Sequence, residues 1–409
     1  MKTLEKIVFI LFSIMIFLSS LTLPDSMLAM YEYLLWGGFA VVSTIFILIN
    51  RFKSPPKYIF RLLFFTMICI VNAMISKYVY SPLFVAIGWL FAVLPFLHFL
   101  CSYNYQFKHS EIIKFIDILI KTAVLMNCAV LFESFILGYA ADYCGLVGSS
   151  IFWVQFLTSA NTQVIILCLG LFRITGNRHY LRYIVILALV ILLSLQLKTC
   201  ASLLVILAGY NFIYGKGGTI PKVVVSSIVI LILFVCMMQI KPVANKVNHY
   251  YYYHTQEVDG TARIKLYDVA FEIAADHFPL GTGQGTYGSI PANMFDSRVY
   301  YDYNLINVWG LSETDDVNVK MDAHWASVLG ENGVLGIIAY LLIFLYPYLY
   351  IRKYKSQYKD YYFIITMCYA ILIMESMVLN LVLRLSMIVI YSGISGLIVR
   401  RISEDNKQQ

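Results

Sequence analysis

Charged residues are scarce in this sequence of 409 amino acids: they make up 13% of it, whereas soluble domains carry roughly 25%. Hydrophobic residues account for 60%. A soluble globule of this composition would have too few charges to cover its surface. The shortage therefore excludes an ordinary soluble enzyme and favours a protein whose helices lie in a membrane.

Signatures of metal binding, disulfide bonding and nucleic-acid binding are missing as well. The eight cysteines occur singly, mostly within apolar runs, and no CxxC, HExxH or Cys/His spacing is present, so neither a structural metal nor a disulfide framework is expected. The net charge of +7 is not gathered into a basic stripe, so no binding to nucleic acid is expected. We also find no internal repeat and no low-complexity linker.

What the sequence has instead is a series of about twelve long apolar runs. They lie near residues 5–23, 32–50, 60–76, 81–101, 116–138, 151–172, 182–197, 199–214, 223–240, 333–351, 361–380 and 385–400. The first run resembles a signal peptide, but no A-x-A-like cleavage site follows it, so we expect it to stay as a helix. The sequence thus predicts an all-α polytopic membrane protein with about twelve transmembrane helices.

The distribution of Lys and Arg predicts which helix ends face the cytoplasm. Region 182–214 is either one long bent helix or two short helices hinged at residues 198–200. With two helices, most of the 30 Lys and Arg residues fall on one side together with both termini. With one helix, the basic segments 352–359 and 400–407 would face outwards, so two helices and cytoplasmic termini are favoured.

The same alternation places one large polar loop outside the cytoplasm, between spans 9 and 10. Four regions result: N-terminal transmembrane helices in 1–150, central transmembrane helices in 151–240, an extracytoplasmic loop with the substrate site in 241–332, and C-terminal transmembrane helices with a cytoplasmic tail in 333–409. The loop contains RIKLYDVAFEIAADHF, with apolar residues at near-helical spacing. A glycine-rich stretch, PLGTGQGTYG, follows it.

Within that glycine-rich stretch, residues 283–288 formally match GxGxxG. A dinucleotide site needs a strand before this motif and a helix after it, and neither is expected here. The favoured interpretation is a tight turn that needs positive φ. The alternative is a nest of backbone N–H groups that holds a phosphate.

Several basic residues lie on the predicted outer side, contrary to the positive-inside rule. They are Lys198, Arg263, Arg298 and Arg384. A single outer Lys or Arg is usually a solvated side chain, but several that converge on one rim favour a bound anion, most simply phosphate or diphosphate. Glu375 is expected near Arg384, either as an ion pair between helices or in a functional role.

Two further polar residues are expected inside the membrane. Glu133 and Asn161 fall within apolar runs. Polar residues at such depth mark functional sites by default, although a hydrogen bond between helices explains them equally well.

Residues 322–336, DAHWASVLGENGVLG, bring a histidine and two acids to the start of a predicted span. His324 follows Asp322 by two residues and precedes the span by about nine. A histidine at a membrane–water boundary can accept a proton near neutral pH. Spacing alone nevertheless favours a structural histidine.

Together these motifs resemble the O-antigen ligase/polymerase superfamily, bacterial membrane glycosyltransferases that act on lipid-linked polysaccharides. The resemblance covers residues 160–340. The matching positions are Asn161, Lys198, Thr199, Arg263, Pro279, Gly281, Gly283, Gly285, His324, Glu331, Gly333 and Gly336. The chain departs from the family in lacking the hairpin arginine and in having Trp325 where many members have Asn. The order of acid, aromatic residue and Leu-Gly-Glu-x-Gly is more similar to the polymerases than to the ligases.

The resemblance implies a polysaccharide polymerase of the bacterial cytoplasmic membrane, in O-antigen or capsule synthesis. Its substrates would be oligosaccharide repeat units carried on undecaprenyl diphosphate and presented on the outer leaflet. No metal and no cofactor are expected. Membrane lipid, a chain-length regulator and a flippase are the expected partners. The alternatives are an O-antigen ligase that transfers glycan to lipid A–core and, less favoured because no inverted repeat is visible, a flippase.

The resemblance also suggests a role for each candidate residue. His324 would be the catalytic base, oriented by Asp322 or Glu331. Arg263, Lys198, Arg384 and Arg298 would bind the diphosphate. Trp325, Gly283, Gly285 and Asn161 would support the site.

Overall fold

The computed structural model describes residues 2–22, 32–50, 52–79, 81–138, 146–216, 262–294, 297–312 and 319–408, with a few isolated residues between 218 and 248. Within these ranges all regular structure is helical, and one isolated β-bridge joins Thr22 to Phe152. The predicted span 223–240 and the first part of the predicted loop, 241–261, lie outside the described residues.

In the described part of the chain, sixteen α-helices are numbered in chain order. They are α1 Lys2–Ser19, α2 Glu32–Asn50, α3 Pro56–Ile75, α4 Pro82–Asn104, α5 His109–Phe135, α6 Val154–Thr175, α7 His179–Ser194, α8 Leu197–Tyr214, α9 Ala262–Asp276, α10 Ile290–Met294, α11 Val299–Asp302, α12 His324–Phe344, α13 Tyr346–Ile351, α14 Lys359–Glu375, α15 Leu385–Met387 and α16 Ser395–Gln408. A π-helical segment, Ile388–Ile394, joins the last two, and short 3₁₀ turns cover Leu305–Asn307 and Arg352–Tyr354.

Seven of the described helices are long and apolar enough to cross a membrane. They are Pro56–Ile75, Pro82–Asn104, His109–Phe135, Val154–Thr175, Leu197–Tyr214, His324–Phe344 and Leu385–Lys407. Shorter apolar helices cover Leu34–Ile45 and His179–Ser194. The predicted all-helical class is confirmed for the described residues, and these helices are compatible with a polytopic membrane protein. The count of twelve spans stays a prediction.

Region 182–214 forms two helices. Leu195 has a left-handed backbone with φ of 51° and separates α7 from α8, so the break precedes the predicted hinge at residues 198–200. Lys198 therefore lies in the first turn of α8 and not at the tip of the connection.

Ion pairs gather at one end of the bundle, which we call the basic end. Three of them are Lys6–Glu111 at 2.7 Å, His109–Asp405 at 3.0 Å and Arg173–Asp360 at 4.0 Å. They tie α1 to α5, α5 to α16 and α6 to α14. The helix ends predicted to share the cytoplasmic side thus meet here; the compartment that this end faces stays a prediction.

The helix α12 is bent back on itself at Gly333. That glycine has φ of 65° and ψ of −165°, outside the helical region. The Tyr340 hydroxyl and the His324 Nε2 atom lie 3.2 Å apart although 16 residues separate them, a separation of about 24 Å along a straight helix. Residues 324–332 therefore form a half-helix that runs back beside residues 334–344.

At the end opposite the basic end, which we call the loop end, the described part of residues 262–332 has a small core of its own. Leu266, Ile273, Tyr287, Tyr300 and Leu311 are fully or almost fully buried there. The helix α9 packs along α12, and the Tyr267 hydroxyl donates a 3.0 Å hydrogen bond to the Met377 carbonyl beyond α14. The polar segment is thus a folded layer that is attached to the helix ends.

Candidate functional site

The two motifs that carry the family resemblance are in direct contact. The glycine-rich turn docks on the bend of α12: Thr282 N donates to Gly330 O at 2.9 Å and Gly283 N to Glu331 O at 2.9 Å. Leu335 N donates to Pro279 O at 3.1 Å from the other side of the bend. The turn and the bend therefore form one unit.

Glu331 holds this unit together from inside. Its side chain is buried, and its carboxylate accepts from Gln284 Nε2 at 2.8 Å and from Tyr287 N at 3.1 Å. Asn72 of α3 donates to the Glu331 carbonyl at 2.6 Å. The Glu331 carboxylate therefore holds the glycine-rich turn in place. These hydrogen bonds argue against the predicted role of Glu331 in orienting His324.

Gly283 and Gly285 occupy the tight turn that the sequence predicts. Their φ values are 104° and 89°, and a Cβ atom on Gly283 would lie 2.7 Å from the Val79 side chain. The N–H groups of Gly283 and Tyr287 are already bonded to Glu331. These bonds favour the turn over the phosphate nest.

His324 is buried in an aromatic pocket, and its predicted place at a membrane–water boundary stays a prediction. Only 2% of its surface is exposed, and besides its contact with Tyr340 its ring centroid lies 5.0 Å from that of Trp325. Trp325 in turn donates from Nε1 to the Ile373 carbonyl of α14 at 3.1 Å. The sequence did not predict this burial, because the predicted span began at residue 333 and the half-helix before it was missed. The Asn-Gly pair at 332–333 was the available signal for a break.

Four charged side chains from four different segments meet beside this pocket, and we call them the charge cluster. They are Lys198, Arg263, Asp322 and Glu375. Arg263 Nη2 lies 2.5 Å from Asp322 Oδ2, and its Nε atom donates to the same oxygen at 3.1 Å. Lys198 interacts electrostatically with the other three. The structure thus brings together two of the four predicted diphosphate ligands with a predicted supporting acid.

The Lys198 ammonium is unusual within this cluster. Its Nζ atom is buried, and in the part of the chain that the structure describes no group accepts a hydrogen bond from it. A buried charge without hydrogen bonds is costly unless another charge compensates it. This position therefore suits an anionic ligand, whose oxygen atoms would accept from the three N–H groups.

For Glu375, another member of the charge cluster, the partner predicted from the sequence is wrong. Its buried carboxylate accepts from Ser202 Oγ at 2.5 Å and from Thr162 Oγ1 at 3.1 Å. The expected neighbour, Arg384, instead packs its guanidinium over the Phe156 ring, 3.6 Å from its centroid. An acid inside an apolar run was the signal that could have marked Glu375 as a site residue.

The other two predicted cationic ligands lie in different settings. Arg384 also faces the Trp153 ring at 5.2 Å, in a cation–π arrangement. Arg298 has a side chain that is 68% exposed and lies 3.7 Å from Asp302, four residues along the chain.

Asn161 forms a reciprocal pair with Asn127 between α6 and α5. Each side-chain amide donates to the carbonyl oxygen of the other, at 2.7 and 2.8 Å, and neither residue is exposed. Two hydrogen bonds between helices in an apolar surrounding explain why polar residues occur here. The geometry supports the interhelical interpretation.

Replacing Asn161 with leucine is expected to destabilise the bundle by about 1–3 kcal/mol, because the Asn127 amide loses both reciprocal bonds in a buried place. The double variant Asn127→Leu/Asn161→Leu should recover part of that loss. Thermal unfolding of the purified protein in detergent measures both. Unchanged stability of the single variant would contradict the structural role.

Comparison of the chain with models of known protein families gives no match, and comparison with curated proteins finds no significantly similar sequence.

Proposed function

We propose that the protein is a membrane glycosyltransferase that polymerises oligosaccharide repeat units carried on undecaprenyl diphosphate, in the synthesis of O-antigen or capsule. The reaction would take place at the outer face of the bacterial cytoplasmic membrane, with the loop end facing the substrate. The resemblance of residues 160–340 to this class of enzyme supports the proposal.

One structural observation carries the proposal furthest: the buried Lys198 ammonium, with no hydrogen-bond acceptor among the described residues, beside the guanidinium of Arg263. A diphosphate offers both the negative charge and the oxygen acceptors that this ammonium lacks. In a site from which water is largely excluded, the same cations stabilise the charge that grows on a departing diphosphate.

The proposed reaction is a displacement at the anomeric carbon of the donor glycan. The acceptor hydroxyl oxygen forms a bond to that carbon, the bond from the carbon to the diphosphate oxygen breaks, and its electron pair leaves with the diphosphate. The hydroxyl proton passes to the His324 imidazole, a step worth roughly 10²–10⁴-fold in rate. His324 follows Asp322, the acid that Arg263 binds, by two residues. A single displacement predicts inversion at the transferred carbon.

Replacing Lys198 with methionine tests this function. Methionine has a similar length and no charge, and the lysine ammonium donates no hydrogen bond to any described residue that the substitution would break. We expect a protein that still folds, because Ser202 and Thr162 continue to donate to the Glu375 carboxylate, whereas glycan polymerisation falls by about 100-fold, as when one stabilising donor is removed from an active site. The measurement is a gel of surface glycan from the native host, in which the ladder of long chains should disappear.

The matched control is Arg178→Gln, which removes an exposed cation near the basic end and should leave the ladder unchanged. Well-expressed Lys198→Met protein with a normal ladder would overturn the proposal. Single repeat units on lipid A–core indicate a lost polymerase, whereas bare core indicates a lost ligase. Repeat units retained on the inner leaflet would indicate a flippase.

A further inference from the structure

We propose that Glu375 is a positioning residue, which keeps the Lys198 ammonium charged and in place without taking the hydrogen bonds that a diphosphate needs. This inference rests on the proposed function of the charge cluster. It concerns a residue in the last turn of α14, outside the two sequence motifs that carry the resemblance.

The first step concerns the carboxylate itself. Glu375 is 1% exposed, and its Oε1 atom accepts from the hydroxyl groups of both Ser202 and Thr162. These hydroxyls come from α8 and α6, so two neighbouring helices fix the position of the acid. Hydrogen bonds from these hydroxyl groups stabilise the charged form of a carboxylate that little water can reach.

The second step concerns the distance between acid and base. Lys198 and Glu375 interact electrostatically, but the Nζ atom donates no hydrogen bond to any described acceptor, the carboxylate included. Since Ser202 lies one helical turn after Lys198 on α8, the same helix carries both the ammonium and a hydroxyl that restrains its counter-ion. The Glu375 carboxylate thus compensates the charge of the Lys198 ammonium without a direct hydrogen bond.

The third step concerns the other charges that face Lys198. Arg263 from α9 repels the ammonium, and Asp322 before α12 attracts it. Asp322 is already bonded by Arg263 through two nitrogen atoms. Of the two acids, Asp322 and Glu375, only Glu375 thus has no hydrogen bond from a cationic side chain in the described segments. Without it, a buried ammonium would shed its proton or move towards water, and either change removes the positive charge that the diphosphate requires.

The test is binding of farnesyl diphosphate to the full-length protein in detergent, by calorimetry, with farnesol as the control for the tail. Relative to wild type, Glu375→Gln should weaken binding by at least about tenfold, the loss expected for charge-assisted hydrogen bonds. The amide oxygen can still accept from Ser202 and Thr162, so the fold should persist. Lys198→Arg in the Glu375→Gln background should restore binding, because a guanidinium keeps its charge without a counter-ion.

Each outcome separates the inference from the proposed function. If wild type and Lys198→Met bind farnesyl diphosphate equally, the proposed site itself is wrong. If Lys198→Met fails to bind and Glu375→Gln binds like wild type, only the role of Glu375 is wrong. Weak binding by Glu375→Gln that Lys198→Arg does not restore would assign Glu375 a merely structural role.

A second variant keeps the inference testable should Glu375→Gln fold poorly. Ser202→Ala removes one of the two hydroxyl groups that hold the acid. The freed carboxylate can then pair directly with Lys198 and compete with the diphosphate, so affinity should fall severalfold while thermal stability changes little. Affinity equal to that of wild type in this variant would contradict the inference.

Discussion

Replacing Gly333 with alanine is expected to prevent stable folding of the loop end. The backbone of Gly333, with φ of 65° and ψ of −165°, lies in a region that is essentially accessible to glycine alone. A Cβ atom there would also lie 2.2 Å from the backbone of Leu280. Because the clashing atoms belong to the backbone of the docked turn and the bend is backbone as well, neither can move aside without a large cost in free energy. Strain and overpacking together should cost about 2–6 kcal/mol.

The measurement for Gly333→Ala is thermal unfolding, together with the yield of monodisperse protein in detergent. Gly37→Ala is the matched control, because that glycine lies inside α2 and no atom lies within 4 Å of a Cβ placed there. The control should be neutral or slightly stabilising, as expected for alanine in a helix. A Gly333→Ala protein with wild-type stability would show that α12 does not bend as described.

Replacing Glu331 with alanine should release the glycine-rich turn. Tyr287 N would then be a buried donor without its acceptor, at a cost of about 1–3 kcal/mol, and Gln284 Nε2 would keep only its 3.2 Å hydrogen bond to the Gly88 carbonyl. We expect a lower melting temperature and faster proteolysis within residues 279–288. Glu331→Gln should be milder, because its amide oxygen can still accept from Tyr287 N.

The control for Glu331→Ala is Glu272→Ala, on the exposed side of α9. This substitution removes a carboxylate from the same segment of the protein without unpairing a buried donor. If proteolysis within the turn were equal in the two alanine variants, the anchoring role of Glu331 would be refuted.

The positions of most helices followed from the sequence, because runs of apolar residues long enough to cross a membrane leave few alternatives. The bend at Gly333 did not follow. Residues 324–332 are neither a complete span nor clearly polar, and only packing against Tyr340 and the docked turn makes them a half-helix that runs backwards. Local sequence does not contain that tertiary contact.

The site was predictable in its chemistry but not in its partners. Lys198 and Arg263 were chosen as candidates because cations on the predicted outer side contradict the expected charge distribution. The pairing of Glu375 with Arg384 was misassigned from their short separation along the chain. The segment between them instead carries Arg384 to the rings beside α6, and Glu375 faces hydroxyl groups of α6 and α8.

The reversal of α12 also turns one helix terminus inwards. No side chain caps the start of this half-helix at Ala323, and a helix start carries roughly half a unit of positive charge from its unpaired N–H groups. Because Asp322 immediately precedes it and interacts with Lys198, the backbone itself adds positive potential where the two cationic side chains lie. An incoming anion would thus be attracted by peptide dipoles as well as by side chains, and no substitution of a side chain removes that contribution.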